Sequence, residues 1–176
     1  MIRKVEVVPY NPSWRSLFET EANQIAIALA ENVIAIHHIG STSIETIYAK
    51  PIIDILVEVS LIAKVDEHHS LMKLIDYQCM GEFGIKDRRF FLKDNSAGIR
   101  IYHVHVFEVN SEQVHRHLLF RDYLTYHPEQ AQMYSNLKQS LSNKHPLDIQ
   151  KYMDGKDEFI QEIDRQAAKW RKGQPL

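Results

Sequence analysis

With 176 residues, a hydrophobic share of 44%, a charged share of 25% and a net charge of −2, the chain has the composition of a globular protein with one sizeable core, not of a disordered tail. That balance gives no general attraction to nucleic acid, whose binders carry clustered Lys and Arg, so nucleic acid is not indicated as a partner. The single cysteine, Cys79, has no internal partner, no run approaches the apolar length of a membrane span, and no apolar region follows Met1-Ile2-Arg3-Lys4; a cytoplasmic setting without a membrane partner is expected.

In chain order, Val5 to Tyr10 reads as a short edge strand or an extended lead-in. Asn11 can cap, and Pro12 can open, a helix whose apolar stripe Trp14, Phe18, Ala22, Ile25 and Leu29 recurs at helical spacing. Val33 to Ile39 is rich in β-branched residues and predicts a strand ending at Gly40, where a residue without Cβ lets the backbone turn sharply. Ser41, Thr42 and Ser43 follow as a short helical turn with free N–H groups, a setting that suits phosphate. In the next strand Ile53, Ile55, Val57 and Val59 share an apolar face, so Asp54, Leu56 and Glu58 face the other way. A carboxylate at Asp54 needs a partner there, either a bound ligand or a cation such as Lys50.

Ser60 can cap a helix bearing Leu61, Val65, Met72 and Ile75; Tyr77 to Ile85 is expected as a strand weakened by Gly81 and Gly84. Lys86-Asp87-Arg88-Arg89 is a basic turn into Phe90-Phe91-Leu92, and the loop from Lys93 to Gly98 predicts a hairpin to a strand over Ile99 to Val109. Three helices follow, capped by Ser111, opened by Pro128, and resumed after the break at Lys144-His145-Pro146. The expected organisation is one domain over residues 1–176, a mixed-sheet core to about residue 110 and a helical part over 111–176.

The segment from His37 to Val59, HHIGSTSIETIYAKPIIDILVEV, resembles the GrpB-like family, and its Gly40-Ser41 to Asp54 spacing is similar to the signature of the nucleotidyltransferase fold typified by DNA polymerase beta. The resemblance extends from Tyr10-Asn11-Pro12-Ser13-Trp14 through Arg88-Arg89-Phe90-Phe91, His103-Val104-His105-Val106 and Phe120-Arg121-Asp122-Tyr123-Leu124 to Tyr152 and Lys156. It implies an α/β (α+β) fold, a nucleotidyltransferase-like mixed sheet with helices on one face and a C-terminal helical layer. For function it implies a domain that binds a nucleotide or another phosphorylated small molecule, as a divergent metal-dependent nucleotidyltransferase or as a noncatalytic or accessory module that has lost the two-metal chemistry.

The expected ligand set is Gly40, Ser41, Thr42, Lys50, Arg88, Arg89, Arg121 and Lys138 around the phosphates, with Asp54 as the catalytic carboxylate. The second carboxylate of the fold's metal site would fall at Leu56, and Glu58 lies about 6 to 7 Å beyond Asp54 along the strand. His103 and His105 share one strand face and, if their strand neighbours that of Asp54, complete a divalent metal site for magnesium, manganese or zinc. Their alternative role is that of buried, hydrogen-bonded core histidines. Tyr134 and Lys138, four residues apart on one helix face, either reach over the cleft or lock helix to sheet. The sequence leaves the oligomeric state open.

Overall fold

A computed structural model describes residues 4–173. Five strands, β1 (Val33–Ile39), β2 (Ile53–Val59), β3 (Gln78–Cys79), β4 (Arg89–Asp94) and β5 (Arg100–Glu108), form a mixed sheet in the order β1-β2-β5-β4-β3. β2 and β5 run parallel, placing Asp54 beside His103 and Leu56 beside His105, while the other neighbours pair antiparallel. Side-chain alternation then sorts the sheet into two unlike faces.

On one face Ile53, Ile55, Val57, Val59, Val104 and Val106 pack against Trp14, Ile25 and Leu29 of α1 (Ser13–Leu29), Val65 of α2 (Ile62–Glu67) and Met72 of α3 (His69–Leu74). Burying each such side chain contributes roughly 1.5 to 3 kcal/mol, which fixes the register because a one-residue slip would expose them all. The other face is covered by α4 (Glu112–Tyr126), α5 (Pro128–Lys144) and α6 (Ile149–Lys172). There Ile39, Leu56 and Phe107 meet Val114, and Ile44 and Ile47 enter a helical core with Leu124, Ala131 and Ile163. The expected mixed sheet and C-terminal helical layer are both present. Among the described residues no helix is long and apolar enough to cross a membrane.

Several local expectations need correction. Of the two readings of Val5 to Tyr10 the extended lead-in holds, tied by a bridge from Val8 to Ala49 and by the Val5 N–H donating to the Pro146 carbonyl (2.8 Å). Ser60 does not cap the helix after β2; the buried Asn32 takes that corner, accepting from the Ser60 hydroxyl (2.8 Å) and Leu61 N–H (3.1 Å) and donating to the Leu61 carbonyl (3.0 Å). That helix is broken at His68 into α2 and α3. The strand expected over Tyr77 to Ile85 shrinks to Gln78–Cys79, because Gly81, Phe83 and Gly84 all take positive φ (63°, 45° and 83°) and turn the chain away from β4.

Candidate functional site

The turn after β1 is built around a contact that only glycine permits. Gly40 has φ 69° and ψ −172°, a region closed to other residues, and a Cβ there would lie 2.6 Å from Asp54 Oδ2. The backbone of Gly40 therefore lies directly against the carboxylate. Ser41–Ser43 form a single 3-10 turn, which the Ser43 N–H and hydroxyl close by donating to the Gly40 carbonyl (3.2 and 2.6 Å).

Asp54 is held from the neighbouring strand. His103 Nδ1 lies 3.2 Å and His105 Nε2 3.6 Å from the same oxygen, Oδ1. Burial by itself pushes the Asp54 pKa up, but the two imidazoles more than offset it and hold the carboxyl well below its ordinary range. His105 presents its other nitrogen, Nδ1, to Arg88 Nη1 at 3.4 Å. A guanidinium only donates, so Nδ1 accepts and the proton sits on Nε2, facing Asp54. Burial lowers the His105 pKa and keeps this ring neutral.

Arg88 is only 5% exposed, donates to the Glu82 (3.1 Å) and Phe83 (2.7 Å) carbonyls, and lies over the Phe90 ring at 4.5 Å. Two lysines of the helical layer line the same cavity as Arg88. Lys138, 2% exposed, donates to the Tyr48 carbonyl and sits 4.4 Å over the Tyr134 ring; Lys156, 7% exposed, sits 4.6 Å over the Tyr152 ring. Burial, with mutual repulsion added, brings the Lys138 pKa down to about 7; burial and Lys50 bring that of Lys156 down to about 8. Lys50 Nζ also lies over the Tyr152 ring, at 5.5 Å. Together with Gly40, Ser41, Asp54, His103 and His105, these groups line one cavity of about 480 Å³.

Not every expected residue reaches it. Arg89 follows Arg88 and by strand alternation points to the opposite face, where it grips both oxygens of Asp66 at 2.6 and 2.8 Å. Arg121 is a tie between α4 and β1, donating to the His38 carbonyl (3.2 Å) and pairing with Asp122. Thr42 is buried against His38 Nε2 at 2.9 Å. Conversely, Lys156 and its ring partner Tyr152 were not expected in the cleft, although a signal was available: Tyr152 and Lys156 repeat the four-residue spacing of Tyr134 and Lys138. Phe83 has no such signal, since only the folded loop brings it to the cavity.

The family model described as GrpB protein matches residues 4–166. The chain belongs to the GrpB family. It is 32% identical to the glutamate-rich protein GrpB of Alkalihalophilus pseudofirmus, over 91% of this chain and 94% of that one. It is 44% identical to the UPF0157 protein YqkA of Bacillus subtilis over 97% of this chain but 49% of the relative, so it spans about half of that protein's length. Among solved structures it is similar to the conserved protein GrpB from Enterococcus faecalis, with a TM-score of 0.90 and 42% identity, covering 94% of this chain and 99% of that one. A structure of Cid1 in complex with its short product ApU matches at a TM-score of 0.52 with 9% identity, over 75% of this chain and 42% of Cid1, a likeness of fold.

Against that nucleotidyltransferase-like fold, the donor set of this GrpB-family cleft does not fit a two-metal centre. Leu56, at the place of a second carboxylate, is fully buried against Ile39, Phe107 and Val114. Glu58 is bonded to His37 at 2.7 Å instead of reaching toward Asp54. The Asp54, His103 and His105 side chains do meet as the sequence suggests, but as a hydrogen-bonded cluster in which the ring nitrogens aim at one carboxylate oxygen. Among the described residues no group of three or more His, Cys, Asp or Glu side chains is arranged to hold a metal ion.

Proposed function

We propose that the cleft binds the phosphate groups of a phosphorylated small molecule by direct contact with protein cations, without a divalent ion as intermediary. The observation that carries this reading is a charge imbalance inside a partly closed cavity. Arg88, Lys138 and Lys156, all three buried, line it together with a single carboxylate, Asp54. Taking an ammonium or guanidinium out of water is costly unless an anion meets it, and aromatic faces and carbonyls offset only part of that cost. An occupant with two or more negative charges restores the balance. Asp54 then serves to hold the His103 and His105 rings in place beneath the cations, His105 in turn accepting from Arg88.

The family's fold supports the phosphate reading, and the buried Leu56 supports binding over two-metal nucleotidyl transfer. Isothermal titration with inorganic phosphate, pyrophosphate and tripolyphosphate, in EDTA and again in magnesium or manganese, tests it. Binding in EDTA that strengthens with phosphate number, and that falls about tenfold or more when either Lys138 or Lys156 becomes Met, is the expected result; one hydrogen bond to a charged group is worth roughly 1.5 to 3 kcal/mol. Binding that appears only with the divalent ion returns the cleft to the metal-dependent reading.

A further inference from the structure

One side chain at the cavity is not explained by anion binding. Phe83 lines the same cavity as Asp54 and Lys156, yet it is 59% exposed. Its ring lies nearly parallel to that of Phe90, with centroids 5.4 Å apart and an angle of 21° between planes. Its φ of 45° is left-handed, a conformation that a large side chain rarely adopts. The loop is held in that shape by Arg88, which donates to the carbonyls of Glu82 and Phe83 while its guanidinium covers the inner ring, Phe90. A buried cation of the phosphate cleft thus fixes the place of an aromatic ring that faces water. Met153, also half-exposed, lines the cavity with it and offers a thioether, a favourable contact for an aromatic edge.

Packing on Phe90 accounts for only part of this arrangement: 59% of Phe83 stays in water, at a positive φ, on the rim of the cavity. We infer that Phe83 is a stacking platform for the base of a nucleotide, so that the phosphorylated ligand of the cleft is a nucleoside polyphosphate and not an aliphatic phosphate. This rests on the reading of the cleft as a phosphate site. A nucleobase presents a flat π-face of about the area of the exposed ring and is joined through its sugar to the phosphates that the lysines and Arg88 receive. Stacking accepts any base, so the platform selects for a nucleotide without choosing among bases.

The test compares three probes, ATP, UTP and tripolyphosphate, by isothermal titration in EDTA on the whole chain and on Phe83→Ala and Phe83→Trp. The parent is expected to hold both nucleotides more tightly than tripolyphosphate. Phe83→Ala is expected to weaken the nucleotides about tenfold while tripolyphosphate changes by less than about twofold, and Phe83→Trp to keep nucleotide affinity, in line with the worth of one base–aromatic stack. Thermal melts of the variants confirm that each is folded. Equal affinity of the parent for all three probes, or an equal loss for all three in Phe83→Ala, overturns the platform and leaves the phosphate site standing. Failure of the parent to bind any of the three overturns both.

Discussion

Replacing Gly40 by Ala tests the most specific piece of the site, because it adds one methyl group at the point where the turn meets the carboxylate. Two costs are expected. The first is conformational: φ 69° with ψ −172° lies in a region that residues with a Cβ essentially avoid, worth about 1 to 3 kcal/mol. The second is steric, since the new Cβ would sit 2.6 Å from Asp54 Oδ2 and 3.1 Å from Asp54 Cβ and Cγ. The strand carrying Asp54 is clamped between β1 and β5, so the carboxylate must rotate and loosen its 3.2 Å contact with His103. A hydrogen bond to a charged group contributes roughly 1.5 to 3 kcal/mol, giving a total of about 2.5 to 6 kcal/mol. Urea unfolding of Gly40→Ala, Asp54→Ala and the double variant separates the parts, because Asp54→Ala removes the oxygen and Cγ and leaves only the backbone cost with the milder Cβ contact. Gly40→Ala should therefore cost about 1.5 to 3 kcal/mol less in the Asp54→Ala background. The same cost in both backgrounds, within about 0.5 kcal/mol, would show that the carboxylate is not what excludes a side chain at this position.

Strand alternation makes a second prediction, in which adjacent arginines behave differently. Arg88→Met should weaken tripolyphosphate binding about tenfold or more, whereas Arg89→Met should leave binding unchanged and cost at most about 1 kcal/mol of stability, its ion pair with the half-exposed Asp66 being screened; equal binding losses would mean that the cavity does not distinguish the two. The third concerns pH. The folded Lys138 pKa, near 7, lies below the unfolded value of about 10.4, so the unfolded chain holds more protons between these limits and stability without ligand should rise from pH 7 toward pH 10. Lys138→Met should flatten that rise in urea midpoints; a rise of the same size in the variant assigns it to other groups.

Much of the fold was legible because its signals are local and periodic. The β-branched run to Ile39, the alternation over Ile53 to Val59 and the loop from Lys93 to Gly98 each specify an element by side-chain period or turn chemistry, and each element formed. The errors fall where a distant group intervenes. Ser60 has the residue type of a cap, but Asn32, far away in sequence, already occupies the corner with three hydrogen bonds. Arg88 and Arg89 look equivalent in sequence, and only the parity of the strand separates a cavity cation from a surface ion pair. Asp54 with His103 and His105 was recoverable because β2 and β5 are neighbours in register. Phe83 was not, because its position depends on three positive-φ residues and on Arg88 holding two carbonyls at once.

The composition of the cavity also bears on how a nucleotidyltransferase-like frame works without a carboxylate pair. In a two-metal site, divalent ions bring the positive charge and the protein supplies acidic groups to hold them. On the proposed reading the signs are reversed: the protein supplies positive charge through Arg88, Lys138 and Lys156, and Leu56, where the resemblance would put a second carboxylate, is buried in the sheet's own core. Adding a carboxylate at that place would put a second negative charge beside Asp54 in a fully buried position among Ile39, Phe107 and Val114. The substitution of charge is therefore coupled to the packing of this face. Lys138 and Lys156 come from α5 and α6, so the helical layer that covers the sheet also supplies two of the cavity's cations. The cleft depends on both halves of the chain, and a change that loosens α6 should weaken phosphate binding even when the Gly40 turn and Asp54 are intact.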